Sequence, residues 1–345
     1  MAASPALRLG LVGAGYIADI HAQAARRAAG VRLLAACSRQ PGRLETLADR
    51  HAIERRYADP DALLADPDVD AVVIALPNAL HAPVAIASLE AGKAVLVEKP
   101  MTLTTADAEA MVAAAERAGR PLMVGHMWRF RPEVMAVRRA VASGLVGRPF
   151  KTKGYGIHVD WMPSGWFRDP ELAGGGALAD MGVHALDTAW FVLGEPAPRR
   201  VYARVSRDFL ADGFEDGGAV GVEDGAVVLV EFEGGIVSLV EAGWGHPHAD
   251  GPEAQTQVFG TLGYAETFPP RAAVMRDGRR VWIDLKVELE SPHISLPMYV
   301  RQLEHFAAAC RGERPPDPDA RKGLQVVRML EAAYRAAASG RVVEL

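Results

Sequence analysis

The residue best placed for chemistry in this 345-residue sequence is a lysine that follows a short apolar segment. Residues 94–97 are apolar, Glu98 and Lys99 come next, and Pro100 disfavours helical geometry at Lys99. In an alternating strand–helix sheet, ligands bind beside the carboxyl ends of the strands. The segment therefore predicts that the Lys99 ammonium faces a ligand, although a surface lysine that merely ends a strand would have the same sequence.

A glycine run at residues 174–176 leads into a second candidate site. A helix of about 17 residues is predicted to follow, in which Asp180 and His184 are one turn apart and Asp187 follows three positions later. All three side chains would therefore lie on one face of the helix. A buried carboxylate beside an imidazole is costly unless the two groups bond to each other or to a ligand. The pattern thus indicates either a catalytic pair or a buried pair that only braces the helix.

A nucleotide-binding turn is predicted near the amino terminus, where the apolar residues 7–12 lead into Gly-Ala-Gly-Tyr-Ile-Ala at 13–18. Gly13 allows a tight turn, Gly15 lets backbone amides approach a pyrophosphate, and Ala18 keeps strand and helix close together. The amino end of the helix attracts the phosphate charge. This is the dinucleotide fingerprint in its expected context. The cofactor contacts predicted from it are Gly13, Gly15, Tyr16 and Ile17.

The end of the second predicted strand, residues 31–37, is the position that selects between the two nicotinamide cofactors. An acidic residue there would bind the ribose 2'-hydroxyl of NAD. This chain has Ser38 and Arg39 instead, with Arg43 one helical turn further on. Because arginine binds phosphate oxygens through a planar fork of donors, the sequence favours NADP. If both arginines were simply solvated, NAD would fit as well.

Polar residues also end the other long strands predicted in the first part of the chain. Asn78 follows the third of these strands, Lys99 follows the fourth, and Arg129 follows the fifth. Polar groups that converge on one edge of a sheet are what a binding site requires. The cofactor contacts predicted from these strand ends are Leu76, Pro77, Asn78, His81, Glu98 and Lys99.

Strand and helix segments alternate through the first third of the chain, and the strands are continuously apolar. This pattern predicts a parallel sheet covered by helices on both faces, and therefore an α/β nucleotide-binding domain over residues 1–125. From 126 to 345 the chain changes to strands with alternating polar and apolar residues, closed by two helices. We predict an α+β substrate domain there, with an antiparallel sheet that packs on helices through one face and offers the other for association.

The composition excludes several classes of partner. The formal net charge of −5 and the pI of about 6.1 give no basis for binding nucleic acid or an acidic membrane surface. The two cysteines, Cys37 and Cys310, cannot form a disulfide framework and are interpreted as reduced thiols. The amino terminus has no secretory signal pattern, and no apolar stretch is long enough to cross a bilayer. We therefore predict a cytoplasmic protein.

In their order and spacing, these motifs resemble those of the Gfo/Idh/MocA oxidoreductases, the relatives of glucose–fructose oxidoreductase and inositol dehydrogenase. The resemblance rests on the glycine turn at 13–18, Pro77-Asn78 with His81, Glu98-Lys99-Pro100, and the glycine run at 174–176 with Asp180 and His184. It implies a Rossmann domain followed by a domain built on a large, mostly antiparallel sheet. It also implies a homodimer or homotetramer joined through those sheets, a cis peptide before Pro100, and a catalytic set of Lys99, Asp180 and His184.

The chemistry of alcohol oxidation agrees with these residue types. A hydroxyl proton must be removed while a hydride leaves carbon for the nicotinamide ring, and His184 is the expected base because histidine titrates near neutral pH. Lys99 would stabilise the developing charge on the same oxygen, and Asp180 would orient one of the two. No metal is required. The further substrate contacts predicted for a sugar pocket are Trp128, Arg129, Asp160, Trp161, Trp166 and Arg168.

The predicted activity is hydride transfer between NADP(H), or NAD(H), and a secondary alcohol or ketone of a sugar, sugar derivative or cyclitol. One alternative is a redox-assisted lyase or glycosidase, which would use tightly bound NAD to oxidise a sugar transiently and then reduce it again. The apparent 2'-phosphate site argues mildly against it. The other alternative is a non-catalytic sugar-sensing protein, which would be expected to lose the lysine or the histidine, whereas this chain keeps Lys99 and His184.

Overall fold

The computed structural model describes five stretches of the chain, residues 5–159, 161–209, 221–246, 253–290 and 295–345. These residues fall into two compact units. The first unit contains the described residues up to 127 together with 296–327, and the second contains the described residues from 128 to 295 together with 328–345. The predicted division near residue 125 lies close to the first change of unit, but the prediction placed 296–327 in the second domain.

The first unit is built on six parallel strands: β1 (Leu7–Val12), β2 (Val31–Cys37), β3 (Arg55–Tyr57), β4 (Ala71–Ile74), β5 (Ala94–Glu98) and β6 (Leu122–Gly125). Their order across the sheet is β3-β2-β1-β4-β5-β6, which is that of the doubly wound dinucleotide-binding fold. β4 and β5 are buried over their whole length, as expected of strands covered on both faces. The predicted parallel sheet is confirmed, and the short β3 is an addition to it.

The helices between these strands are α1 (Tyr16–Ala25), α2 (Pro41–His51), α3 (Pro60–Leu64), α4 (His81–Glu90) and α5 (Thr105–Ala118). α5 shows how local sequence sets the bounds of a helix. The Thr104 side chain accepts a hydrogen bond from the Asp107 N–H at 3.1 Å, and Gly119 adopts the left-handed conformation that ends the helix. The sequence pattern predicts a helix from about 105 to 118, and these bounds agree with it.

The strands of the second unit form one sheet: β7 (Pro149–His158), β8 (Pro198–Ser206), β9 (Gly225–Phe232), β10 (Ile236–Trp244), β11 (Ala254–Gly260), β12 (Gly263–Glu266), β13 (Arg271–Arg276), β14 (Arg279–Asp284) and β15 (Val343–Glu344). The order is β14-β13-β12-β11-β7-β10-β9-β8-β15, and every pair is antiparallel except β7 with β10. On β9, Val228 and Val230 are buried whereas Val227 and Leu229 are exposed. The predicted large, mostly antiparallel sheet is confirmed.

The remaining helices are α6 (Pro132–Ala142), α7 (Pro170–Ala173), α8 (Val183–Val192), α9 (Leu296–Cys310) and α10 (Ala320–Ser339). Val137 of α6 and Phe191 of α8 share a core with the second sheet. α9 packs against α1, and Leu324 and Val327 of α10 belong to the core of the first unit. This packing explains why residues 296–327 lie in the first unit. None of the helices in the described part of the chain has the length and apolar character that a membrane span requires.

Candidate active site

The turn after β1 has the backbone geometry that a dinucleotide requires. Gly13 has a φ of +122°, and a Cβ on it would lie 2.1 Å from the Ala75 carbonyl oxygen, so that only glycine fits. Gly15 is exposed, and a Cβ there would meet nothing within 4 Å, which leaves the amino end of α1 open. Backbone N–H groups at such an end can bind a pyrophosphate. The first turn of α1 contains the other two predicted contacts, Tyr16 and Ile17.

The three residues predicted to select the cofactor lie at the end of β2 and in α2. Ser38 is half-buried, and its Oγ accepts a hydrogen bond from the Gln40 N–H at 3.1 Å. Arg39 and Arg43 are exposed, and neither guanidinium forms an ion pair with any residue that the structure describes. Both side chains can therefore turn toward a phosphate without breaking an existing charge pair.

Lys99 lies at the end of β5, half-buried, and its peptide bond to Pro100 is cis. The Glu98 side chain is buried, with Oε1 2.7 Å from His21 Nε2 and Oε2 accepting the Lys99 N–H at 3.2 Å. Burial alone would raise the pKa of Glu98, but the His21 hydrogen bond and the charges of His21 and Lys99 outweigh it, so that this pKa lies below its usual value. Glu98 thus holds the backbone that carries the Lys99 side chain. The predicted cofactor contact of Glu98 remains a prediction.

His21 is a residue of this site that was not predicted from the sequence. It lies on the buried face of α1, is 1% exposed, and meets the Tyr299 ring of α9 edge-on with the centroids 5.2 Å apart. A single histidine among the buried alanines of a helix is a signal, because a buried polar group needs a partner. The signal does not name the partner, however, since Glu98 is 77 residues away.

His81 connects two strand ends of the first unit. Its Nδ1 lies 2.9 Å from the Pro100 carbonyl oxygen, its Nε2 lies 2.9 Å from the Leu76 carbonyl oxygen, and the ring is fully buried. Burial lowers the pKa of His81, although the two carbonyl contacts act in the opposite direction. His81 thus braces the segment that carries Lys99, and its predicted contact with the cofactor remains a prediction. The remaining predicted contacts, Pro77 and Asn78, lie at the short turn after β4, just before His81.

In the second unit, the helix after the glycine run begins with a π-helical turn, Leu178–Gly182, where the prediction was a regular helix. Asp180 lies in this turn. Its Oδ2 accepts a hydrogen bond from Trp244 Nε1 at 3.0 Å, and His158 Nε2 lies 3.8 Å from the same oxygen. Single π-helical turns within helices are frequent at functional sites because they redirect side chains. This turn directs Asp180 toward the ends of two strands.

Those two strands are the parallel pair of the second sheet. Trp244 is the last residue of β10, His158 is the last residue of β7, and the two lie opposite each other in register. His158 Nδ1 is 2.9 Å from Glu253 Oε1, so that a second carboxylate holds the imidazole. Neither Trp244 nor His158 was predicted as a site residue. Neither residue has a local signal, because only the strand pairing brings them together.

A cluster of aromatic rings adjoins the same carboxylate. The Trp161 centroid lies 4.8 Å from that of His158 and 6.1 Å from that of Trp244. Phe167 packs edge-on against Trp161 at 5.2 Å, and Trp166 stacks on Phe167 at 4.0 Å. The predicted pocket residues Trp161 and Trp166 therefore belong to one ring cluster.

Arg129, predicted as a sugar contact, is instead part of a buried ion pair. It is 3% exposed, and its Nε and one terminal nitrogen donate to the Asp187 carboxylate at distances down to 2.7 Å. Its other terminal nitrogen donates to Glu195 at 2.6 Å, and its guanidinium carbon lies 4.7 Å from the centroid of the Phe191 ring. A buried charge needs such partners, and breaking the pair would be strongly destabilising. We therefore leave Arg129 out of the proposed sugar pocket.

The other predicted residues of the second unit lie as follows. His184 is buried on α8, and its ring centroid is 6.4 Å from that of Trp128, which is also buried. Arg168 donates through Nε to the Pro163 carbonyl at 2.8 Å. Asp160 lies outside the described residues.

Two family models match the chain. One, described as an oxidoreductase family with an NAD-binding Rossmann fold, matches residues 7–126, and the other, a GFO/IDH/MocA C-terminal domain, matches residues 134–266. Together they cover well over half of the 345 residues. The chain belongs to the Gfo/Idh/MocA oxidoreductase family.

Relatives of this Gfo/Idh/MocA protein match over almost its whole length. The D-apiose dehydrogenase of Paraburkholderia graminis is 31% identical over 97% of this chain and 88% of its own. The D-xylose 1-dehydrogenase (NADP+) 2 of Haloferax volcanii is 33% identical over 90% of this chain and 91% of its own. A solved oxidoreductase domain protein from Kribbella flavida is similar with a TM-score of 0.89 at 27% identity, over 99% of both chains.

Membership of the Gfo/Idh/MocA family confirms the predicted enzyme class, a nicotinamide-dependent dehydrogenase or reductase that acts on CH–OH groups. It also confirms the predicted dinucleotide-binding domain. The relatives do not favour either of the two alternatives, the redox-assisted lyase or glycosidase and the sugar-sensing protein. The catalytic set implied by the resemblance divides between the units, with Lys99 in the first and Asp180 and His184 in the second.

Proposed function

We propose that this protein oxidises a secondary alcohol of a sugar, sugar derivative or cyclitol, or reduces the matching ketone. The observation that carries the proposal is the ring cluster of Trp161, Phe167 and Trp244 beside a carboxylate in the second unit. Sugars and cyclitols combine flat apolar faces with hydroxyl groups, and rings beside a carboxylate suit both features. The names of the D-apiose and D-xylose dehydrogenases support the same substrate class.

In the proposed mechanism, three side chains act on the alcohol oxygen. His184 takes the hydroxyl proton, because an imidazole accepts a proton near neutral pH. The Lys99 ammonium stabilises the negative charge that develops on the oxygen. Asp180 orients this set, and the hydrogen bond from Trp244 Nε1 fixes the direction of its carboxylate. A bound nicotinamide supplies the hydride acceptor or donor.

The experiment that tests this function is a screen in which NAD(P)H absorbance is followed in both directions. Pentoses, hexoses, polyols, inositols and ketosugars are offered with each cofactor. We expect a stoichiometric change in absorbance with at least one sugar or cyclitol. Elimination or glycoside cleavage with no net redox change would favour the lyase alternative, and turnover of simple aliphatic alcohols alone would contradict the substrate class.

We also propose that NADP is the preferred cofactor. The support is the absence of an acid at the end of β2, where Ser38 stands, and the exposed guanidinium groups of Arg39 and Arg43 nearby. A 2'-phosphate offers these donors a charged partner, which the ribose hydroxyl of NAD does not. One relative is named as an NADP+ enzyme.

Titration of the apoprotein should show NADPH binding at least about tenfold more tightly than NADH, and Ser38→Asp should reverse the order. The introduced carboxylate would repel the 2'-phosphate and accept a hydrogen bond from the ribose hydroxyl. Quenching of tryptophan fluorescence gives both dissociation constants. Ser339→Asp, which adds the same charge to an exposed position of α10, is the control and should leave the ratio unchanged. Equal affinities in the wild-type protein would contradict the assignment.

A homodimer or homotetramer joined through the second sheet is the assembly we propose. On the exposed face of the sheet, Tyr202 of β8, Leu229 of β9 and Leu239 of β10 lie in register as an apolar row. Tyr202 is 38% exposed and Leu229 is 40% exposed. A contiguous apolar surface of this kind indicates association.

Leu229→Arg should reduce the molar mass in solution to that of a smaller assembly, because a guanidinium would be buried without a partner at the centre of the row. Light scattering after size exclusion measures the mass. Leu262→Arg, at a position 61% exposed between β11 and β12, is the matched control and should leave the assembly intact. An unchanged mass for Leu229→Arg, or a wild-type monomer, would rule out this face.

A cytoplasmic location is also proposed, on the basis of the cysteines. Cys37 and Cys310 are both free thiols. Burial raises the pKa of each to about 12, so that both remain protonated and unreactive. Unpaired thiols of this kind are usual in a reducing compartment.

A further inference from the structure

A buried carboxylate lies at the start of the helix that carries Asp180. Glu223 is 5% exposed, and its Oε1 accepts hydrogen bonds from the Gly176 N–H at 2.8 Å and the Leu178 N–H at 3.1 Å. The Tyr334 hydroxyl of α10 donates to the same oxygen at 2.8 Å. The side chain thus satisfies two N–H groups that have no partner within the helix, as a capping residue does. Unlike most caps, it comes from a distant part of the chain and is fully enclosed.

The glycine run is explained by this carboxylate and its tyrosine. A Cβ on Gly176 would lie 1.8 Å from the Glu223 carbonyl oxygen, and a Cβ on Gly175 would lie 1.9 Å from the Tyr334 hydroxyl oxygen. Real Cβ atoms do not come so close, so any side chain at either position would displace Glu223 or Tyr334. The two glycines therefore serve the approach of Glu223 and Tyr334 to the helix.

Residues 223 and 224 hold Asp180 through two sets of hydrogen bonds. The Glu223 carbonyl accepts the Ala177 N–H at 3.0 Å, and the Gly176 carbonyl accepts the Asp180 N–H at 2.9 Å. The next residue, Asp224, accepts the Trp244 N–H through its carbonyl at 2.9 Å. Trp244 in turn donates its indole N–H to Asp180. Displacement of residues 223 and 224 would therefore move both the backbone of Asp180 and the donor that orients its carboxylate.

Glu223 is costly to keep at this place. Burial raises its pKa, although the Tyr334 hydroxyl and three backbone N–H groups act in the opposite direction. A glutamine or a smaller residue would avoid this cost. Groups with shifted pKa values often cluster at functional sites, and Glu223 caps the turn that carries Asp180.

We propose that Glu223, held by Tyr334, is a positioning residue for the reaction: it fixes the π-helical turn so that Asp180 faces the alcohol. This inference rests on the proposed function, in which Asp180 acts in catalysis. Glu223 touches neither substrate nor cofactor in this assignment. Its effect is transmitted through the backbone from Gly176 to Asp180.

The test compares Glu223→Ala, Glu223→Gln and Tyr334→Phe in the full-length protein. Glu223→Ala should lower kcat by about 10²-fold, because small displacements of a catalytic group have effects of that size. Glu223→Gln, which keeps an oxygen acceptor, should restore kcat to within about threefold of wild type, and Tyr334→Phe should fall between the two. The dissociation constant for NADPH should not change in any of them. Equal losses for Glu223→Ala and Glu223→Gln would overturn the proposal.

A double-mutant cycle separates positioning from general destabilisation. In an Asp180→Asn background, Glu223→Ala should cause little further loss of kcat, because the group that it positions is already disabled. Thr104→Ala, which removes the cap of α5 in the first unit, is the control for a lost helix cap and should leave kcat unchanged. If the two substitutions lower kcat by independent factors that multiply, Glu223 stabilises the fold but does not position Asp180. If Glu223→Ala does not fold, Tyr334→Phe is carried through the same cycle.

Hydrogen exchange provides a readout that does not need turnover. The peptide covering residues 174–184 should exchange faster in Glu223→Ala than in the wild type, and it should be unaffected in Thr104→Ala. Unchanged exchange of this peptide would overturn the proposed cap even in an active enzyme. A wild-type protein that turns over no substrate, while its exchange depends on Glu223 as expected, would instead indicate that the proposed function has failed and that the cap remains.

Discussion

The Lys99→Ala variant should show a kcat about 10²–10³-fold below that of the wild type, while its affinity for NADPH stays within about threefold. The ammonium is the donor proposed to stabilise the charged alcohol oxygen, and alanine removes it. The scaffold should survive, because Glu98 accepts the backbone N–H of residue 99, which alanine retains. Steady-state kinetics with the best substrate from the screen, together with fluorescence titration of the cofactor, measure the two quantities.

Lys93, at the other end of β5, provides a matched control. Its buried ammonium donates to the carbonyl oxygens of Asp66 and Val69 at 2.7 and 2.8 Å. Lys93→Ala should lower the melting temperature, because two carbonyls each lose a hydrogen bond, and it should leave kcat near the wild-type value. If Lys99→Ala retains more than about a tenth of the wild-type rate, Lys99 has no part in the chemistry.

The His184→Gln variant should lose about 10²–10⁴-fold in kcat, which is the usual contribution of a general base. Glutamine has a similar size and can still form hydrogen bonds, but it cannot take the proton. In the direction of alcohol oxidation, the kcat/KM of the wild type should fall toward acid pH, because protonation of the imidazole removes the base. That acid limb should be missing from the pH profile of the variant.

The double variant Lys99→Ala with His184→Gln tests whether both residues act on one oxygen. The kcat of the double variant should lie within a small factor of that of the slower single variant. Substitutions of residues that act as a unit have effects on the rate that do not add. Losses that multiply would indicate that the two residues act in separate steps. An acid limb that persists in His184→Gln and disappears in His158→Gln would transfer the role of base to His158.

Local signals in the sequence determined the nucleotide turn and the order of the elements. Gly13 is needed because its position has a positive φ and no room for a Cβ. A requirement of this kind can be read from the sequence, because only glycine meets it. The apolar strands of the first sheet and the helix over 105–118 were predicted from periodicity, which depends on neighbouring residues. The candidate catalytic residues Lys99, Asp180 and His184 were also selected at this level and remain predictions.

Only the tertiary structure decided which polar side chains are partners. Three buried or half-buried pairs join residues 58 to 77 positions apart, namely Arg129 with Asp187, Asp180 with Trp244, and His21 with Glu98. For this reason Arg129 was predicted to contact the sugar, whereas the structure places it in an ion pair. A charged residue in a sequence shows that burial would require a counter-charge or a hydrogen bond. Which residue supplies it depends on how strands and helices pack, and no periodicity along the chain records that choice.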